Sequence, residues 1–269
     1  MAETRLEIRQ FPCRSDNYGV ILHDRGTGEI AAIDSPEANR VREELAQAGL
    51  KLTHIFTTHS HFDHIDGYEA LKREFGCTIY GAAKDAGAIP GLDKPVRDGD
   101  RLAFGGFELQ VMETPGHAPG HVVYYIADTG ARTLGGNVVG AVFAGDVLFS
   151  VGCGRVADNA FAEMYASTQR VGNLPEDTLL YCGHEYTQSN VRFALAMEPG
   201  NAALQARKQE VDAARAEGKP TLPVTIGKER ATNPFIRLHS PEIRQSLGLG
   251  ADTPDVQVFT ALRKRKDTF

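Results

Sequence analysis

The chain has 269 residues, with 29 Lys and Arg against 35 Asp and Glu, a formal charge of -6 and no tryptophan. Hydrophobic residues at 42% and charged ones at 24% are the proportions of a folded globular protein, which excludes a disordered chain or a fibrous repeat. The acidic balance gives no overall field to gather nucleic acid or an anionic membrane, so an anionic ligand has to be caught by a local basic patch.

The opening MAETRLEIRQFPCRSD lacks the basic-then-apolar run of a secretory signal, and no stretch approaches the roughly 18 apolar residues of a spanning helix. A cytoplasmic location is expected, with neither membrane nor nucleic acid as partner. Cys13, Cys77, Cys153 and Cys182 form no CxxC pair and read as reduced, partly buried thiols.

In chain order, GVIL, EIAAID and HIFTTH read as strands. Between the last two, SPEANRVREELAQAG predicts a helix with Ser35 as N-cap, Pro36 in the first turn, Val41 and Leu45 one turn apart, and Gly49 as its stop. GYEALKREFG predicts a second, with Leu71 and Phe75 on one face and Gly76 at its end. LAFGGFELQVMET suggests a hairpin turning at Gly105-Gly106, and HVVYYIAD a following strand. VVGAVFAGD and DTLLYCGHE are further apolar runs that stop at an Asp and a His. Short strands interleaved with helices predict a layered α/β domain over residues 1–186. After Tyr186 the character becomes helical: NVRFALAME and NAALQARKQEVDAARAEG read as helices, KPTLPVTIGKERATNP as a Pro-punctuated connector. Ser240-Pro241 and Thr253-Pro254 read as the starts of two short closing helices. Residues 187–269 are expected to form a smaller helical domain.

The stretch THSHFDHIDG, residues 58–67, holds three histidines and two aspartates in ten positions. A single histidine is ordinarily a satisfied core or surface residue, which suits His23, His54 and His239. A cluster is different, because burying several titratable groups without an ion is costly. His59 and His61, two apart, project to the same side of an extended segment and can reach one ion. Asp63 and His64 follow where the chain turns into a helix and point elsewhere, so they can serve a second. One tetrahedral zinc taking all four is conceivable but strained at this spacing. Further ligands stand after later apolar runs: His117 and His121 in TPGHAPGH, Asp146 in FAGD, and His184 in YCGHE. Spacing alone does not choose between His117 and His121.

THSHFDH, TPGH, AGD and CGHE, in that order, resemble the ligand motifs of the metallo-β-lactamase superfamily. The resemblance implies an αββα four-layer sandwich with two divalent metal ions, zinc first and iron or manganese as alternatives. It assigns His59, His61 and His117 to one ion, Asp63, His64 and His184 to the other, and Asp146 to the bridge, with His121 outside the ligand set and Asp66 solvated or supporting. GDVLFSVGCGR, CGHEYTQSN, ATNPFIR and LRKRKDTF extend the likeness to the hydroxyacylglutathione hydrolases, the glyoxalase II family. That family's activity implies hydrolysis of S-D-lactoylglutathione to D-lactate and glutathione by a hydroxide between the ions, the second step of methylglyoxal detoxification, with Asp63 and Asp146 as its catalytic carboxylates. Arg155, Tyr186, Asn190, Arg263 and Lys266 match the family's glutathione contacts, although RKRK by itself is a solvated helix face. A tripeptide with two carboxylates does want fixed cations, and arginine offers them bidentately. Departures from the family are Ala157, where an aromatic residue is usual, the turn VADNAFAEM, and an extended loop TLGGNVVGAV. The competing expectation is a glutathione persulfide dioxygenase, which resembles a one-iron site without use for Asp63, His64 and His184, or another hydrolase of the same fold. The chain is expected to act as a monomer.

Overall fold

Side chains alternate across a strand, and in Asn17–Asp24 both faces are apolar: Val20 and Leu22 pack into one core and Ile21 into another. Such a strand has to lie between two layers. The computed structural model, which describes residues 6–269, builds them. Six strands form one sheet in sequence order: β1 (Leu6–Cys13), β2 (Asn17–Asp24), β3 (Ile30–Ile33), β4 (His54–Phe56), β5 (Thr78–Ala82) and β6 (Lys94–Val96). β1 to β3 pair antiparallel, whereas β3 to β6 pair parallel and need crossovers. Helix α1 (Ala38–Ala48) makes the first, and α2 (Phe62–Ile65) with α3 (Tyr68–Phe75) the second.

The chain continues through β7 (Arg101–Phe104), β8 (Phe107–Glu113), β9 (Val122–Ile126), β10 (Ala141–Phe143), a small hairpin β11 (Leu148–Phe149) and β12 (Gly152–Cys153), α4 (Phe161–Gly172) and β13 (Leu179–Tyr181). It closes with α5 (Thr187–Met197), α6 (Ala202–Ala216), β14 (Val224–Thr225), α7 (Ile226–Thr232), α8 (Pro241–Ser246) and α9 (Asp255–Asp267). The second sheet has the order β14-β13-β10-β9-β8-β7. Between the sheets lies a core of Leu22, Ile33, Phe56, Leu109, Tyr124 and Phe143. The outer face of the first sheet is sealed by Val41, Leu45 and Leu71 of α1 and α3. The outer face of the second is sealed by α4 together with the C-terminal helices, through Met164, Phe193, Phe235 and Phe259. This is the expected α/β/β/α order of layers. Each such fully buried side chain contributes about 1.5–3 kcal/mol relative to exposure.

Helix stops fall where glycine predicts them, Gly49 at φ 67° and Gly76 at φ 66° in the left-handed region. Helix starts do so less evenly: Ser240 and Pro241 open α8 as expected, but α1 starts late. Ser35 is not the cap of α1: its N–H donates to the carbonyl of His64 and its hydroxyl to the carbonyl of Asp34, a tertiary tie that delays the helix to Ala38. The expected connector KPTLPVTIGKERATNP is loop only as far as Pro223. Beyond the prolines it holds β14 and α7, capped by Thr225 Oγ1 accepting the Lys228 N–H at 3.2 Å. The last helix is not short but 13 residues long. β1 and α4 lie in segments where the sequence reading predicts no element. The extended loop folds back on itself through a bridge between Arg132 and Val138 and leaves Leu134 in solvent. No helix among the described residues is long and apolar enough to cross a membrane.

Candidate metal centre

The site forms where strands end. β3 leads to Asp34, β4 to His59 and His61, β10 to Asp146 and β13 to His184, while His117 sits in the β8–β9 connection. The segment between Phe56 and Phe62 carries no helix, and His61 is extended at φ -64° and ψ 142°. His59 and His61 therefore lean together: His59 Nε2 lies 3.0 Å from His61 Nδ1, and His117 Nε2 lies 3.0 Å from that same atom. Two neutral imidazoles share at most one proton, so three converging nitrogens are poorly served by hydrogen bonds. They suit a cation, since tetrahedral coordination at 2.0–2.1 Å separates nitrogens by about 3.3 Å.

A second group adjoins the first. His184 Nε2 stands 3.4 Å and His64 Nε2 3.8 Å from Asp63 Oδ2. Asp146 reaches into both groups, with Oδ2 at 3.5 Å from His117 Nε2 and 3.3 Å from His184 Nε2, and Oδ1 at 3.5 Å from His64 Nε2. Two atoms at this junction, His64 Nε2 and Asp146 Oδ1, are buried without a hydrogen-bond partner. A buried polar atom without a partner is costly, and a coordinated ion answers both.

The far nitrogens explain why the near ones are free. His64 Nδ1 donates to Asp34 Oδ2 at 2.8 Å and His184 Nδ1 to Asp16 Oδ1 at 2.8 Å. His117 Nδ1 donates to the Arg155 carbonyl at 3.0 Å. The Thr58 hydroxyl gives its proton to Asp34 Oδ2 at 2.7 Å and so accepts from His59 Nδ1 at 3.0 Å. Each contact puts the ring proton on Nδ1 and leaves the Nε2 lone pair for a cation. His121 is disposed otherwise. Its Nε2 accepts the Asp146 N–H at 3.1 Å and its Nδ1 meets Thr114 Oγ1 at 2.8 Å, so neither nitrogen is left over.

Electrostatics divide the histidines. Burial depresses His59, His117 and His121. Burial would depress His64 and His184 too, but Asp146, with Asp34 beside His64 and Asp63 beside His184, overcomes it, leaving His64 well raised and His184 pushed up to about 10. Burial works against ionising Asp146, yet His64 and His184 hold its carboxyl well below the usual range, and contact with His184 does the same for Asp63. The carboxylates that raise His64 and His184 against burial would equally attract a metal cation.

Beside the centre lies a cavity of about 460 Å³ that includes His61, Asp63, His117, Phe149 and Ala157. Phe149, Arg155 and Tyr186 join it to a neighbouring cavity of about 590 Å³ that adds Asn190, Arg263 and Lys266. Tyr186 stacks on His184, ring centroids 4.8 Å apart and planes 5° from parallel. The exposed Arg155 stands between the two cavities. Lys266 is half-buried over the Phe193 ring, and burial, aided by Arg263 and Arg192, lowers its ammonium to about 8.

Residues 19–184 match the Metallo-beta-lactamase superfamily and residues 185–269 match the Hydroxyacylglutathione hydrolase C-terminus. A "Hydroxyacylglutathione hydrolase" of Brucella ovis is 48% identical over 267 residues, spanning 99% of this chain and 100% of that protein. The chain belongs to the hydroxyacylglutathione hydrolase family. Solved structures show the same fold. A metallo-beta-lactamase from Staphylococcus aureus has a TM-score of 0.65 at 22% identity, covering 98% of this chain and 72% of that one. ETHE1 from Myxococcus xanthus has a TM-score of 0.63 at 26% identity, covering 97% and 99%.

In this chain the fold brings His59, His61, Asp63, His64, His117, Asp146 and His184 into one cluster. It brings Arg155, Tyr186, Asn190, Arg263 and Lys266 to one cavity wall. Three of these are already engaged there: Asn190 Nδ2 donates to the Ser150 carbonyl at 3.1 Å, buried Arg263 donates to the Cys153 carbonyl at 3.0 Å and to Asp267 Oδ1 at 2.7 Å, and Lys266 Nζ donates to the Ser189 carbonyl at 3.4 Å. Asp66 pairs in solvent with Arg14 at 2.6 Å. Asp16, Asn17 and Asp34 carried no ligand-type spacing, yet Asn17 Nδ2 donates to Asp63 Oδ2 at 2.9 Å and the two aspartates orient His184 and His64. Gly183 admits this packing: a Cβ there would fall 2.3 Å from Asp146 Oδ1 and 2.8 Å from His64 Cε1. Gly183→Ala is therefore expected to displace Asp146 and lower cation content, measured by elemental analysis of the purified protein.

Proposed function

We propose that this chain hydrolyses S-D-lactoylglutathione, and related 2-hydroxyacyl-glutathiones, to D-lactate and glutathione, the second step of methylglyoxal detoxification. The observation that carries the reading is the Asp146 carboxylate, within 3.5 Å of imidazoles from both ligand groups. In this reading His59, His61 and His117 hold one ion, Asp63, His64 and His184 the other, and Asp146 is shared. Zinc is the first choice of metal, and iron or manganese suits the same His and Asp donors. Two such ions would lower the pKa of water to near 7 and supply a Lewis acid for the acyl oxygen.

The chain's own groups do the rest. Asp63, oriented by Asn17, and Asp146 present carboxylate oxygens to the reacting atoms. Arg155, Arg263 and Lys266 meet the carboxylates of the tripeptide, with Tyr186 and Asn190 along its backbone, so the thioester is delivered to the histidine cluster rather than merely bound. Glutathione departs as a thiolate, and a thiol of pKa near 8.5 needs no strong general acid. Residues 1–186 provide the reacting centre and residues 187–269 most of the tripeptide contacts. A monomer in the cytoplasm is the setting, in keeping with four buried, free cysteines.

Steady-state turnover of S-D-lactoylglutathione, compared with a non-glutathione thioester, a β-lactam and oxygen uptake on glutathione persulfide, tests this alongside metal analysis of the same preparation. Preferred hydrolysis of the glutathione thioester with two ions per chain is expected. Persulfide oxidation without thioester hydrolysis contradicts it.

A further inference from the structure

Glu229, on α7, is a fully buried carboxylate with no part in the chemistry above. Its Oε2 accepts the backbone N–H of Val151 at 2.7 Å, and its Oε1 accepts the Ser150 hydroxyl at 2.9 Å. Ser150 and Val151 are the connection of the β11–β12 hairpin, in which Phe149 pairs with Gly152. Val151 has φ 56°. A β-branched residue enters that region only at a steric cost and stays there only when its surroundings over-determine it.

Those surroundings come from the C-terminal segment. Asn233, just past α7, donates from Nδ2 to the carbonyls of Phe149 at 3.1 Å and Gly152 at 3.0 Å and to Glu229 Oε2 at 2.9 Å. The Ser150 and Cys153 carbonyls are taken by Asn190 and Arg263. The hairpin in turn lies between two groups of the metal centre. It starts just after Asp146 and leaves through Gly154, where a Cβ would fall 1.9 Å from the Asp146 carbonyl oxygen and 3.1 Å from His117 Nδ1. Next comes Arg155, whose carbonyl holds the His117 ring. Moving the turn moves both Asp146 and His117.

We propose that Glu229 is a positioning residue for the metal centre, holding Val151 in its left-handed conformation so that the hairpin keeps Asp146 and His117 in register. The inference rests on the two-ion hydrolase reading and names a residue that supports it. Glu229→Met keeps length and apolar fit but removes both acceptors. A chromogenic chelator is expected to strip cations from the folded variant about tenfold faster or more than from wild type, with kcat falling by a similar factor. Glu229→Gln, which retains an acceptor for the Val151 N–H, recovers most of both.

The deciding protein combines Glu229→Met with Val151→Gly. Glycine enters the left-handed region without steric cost, so the double variant should regain slow cation release and turnover, or soluble yield where Glu229→Met alone is insoluble. Wild-type chelator kinetics in Glu229→Met, or a double variant no better than the single one by any of these measures, overturns the proposal. Because chelator kinetics need no substrate, a wild-type protein that grips two ions yet leaves the thioester intact counts against the hydrolase reading and not against this role of Glu229.

Discussion

Asp146→Ala should lower thioester turnover by roughly a thousandfold, the equivalent of several kcal/mol of transition-state stabilisation at about 1.4 kcal/mol per decade. No other carboxylate of the cluster approaches three of its imidazoles within 3.5 Å. Truncation leaves His117 of one ligand group and His64 and His184 of the other facing a cavity instead of an anion, so both groups lose affinity together. Asp146→Asn separates charge from shape: it fills the same space with a neutral group and should lose nearly as much. Steady-state kinetics and elemental analysis of both variants check this. Near-wild-type turnover in either would remove Asp146 from the reacting centre, whereas full cation content without turnover would confine its role to the chemistry.

Stripping the cations with a strong chelator should abolish turnover and lower the melting temperature, with zinc, manganese or ferrous iron restoring both to different degrees. An ion present at about a thousand times its dissociation constant stabilises the folded state by about 4 kcal/mol. For a chain of this size that is a shift on the order of 10 °C. The physical ground is the convergence of His59 Nε2 and His117 Nε2, each at 3.0 Å, on His61 Nδ1 and the two partnerless buried atoms at the junction, His64 Nε2 and Asp146 Oδ1. Calorimetry before and after chelation, with ions counted per chain, measures it. A protein that melts unchanged and keeps its turnover after chelation would mean that the cluster is held by protons alone.

Much of the architecture is legible in local pattern. Short apolar runs mark most strands of both sheets, and Gly49 and Gly76 mark helix ends because only a residue without a Cβ is at ease in the left-handed region. What escapes is set at a distance. Ser35 has every property of a helix cap but is claimed by the His64 carbonyl. VTIGKERATN reads as a continuation of a Pro-rich connector until β13 is present to pair with Val224 and Thr225.

The candidate site divides in the same way. His59 and His61 belong together by sequence alone, since two residues apart on an extended segment is a fixed local geometry. The choice of His117 over His121 is physical only in the folded chain, where the backbone N–H of Asp146, 25 positions away, occupies His121 Nε2. Asp16 and Asp34 reach their histidines across 168 and 30 positions, and Glu229 reaches Val151 across 78. The amino-acid sequence by itself determined which donor atoms are available and which pairs of them must be neighbours. Tertiary structure decided which lone pairs remain free to bind, because each ring nitrogen and carboxylate oxygen is spent on whatever partner the packing of the two sheets and the C-terminal helices brings within reach.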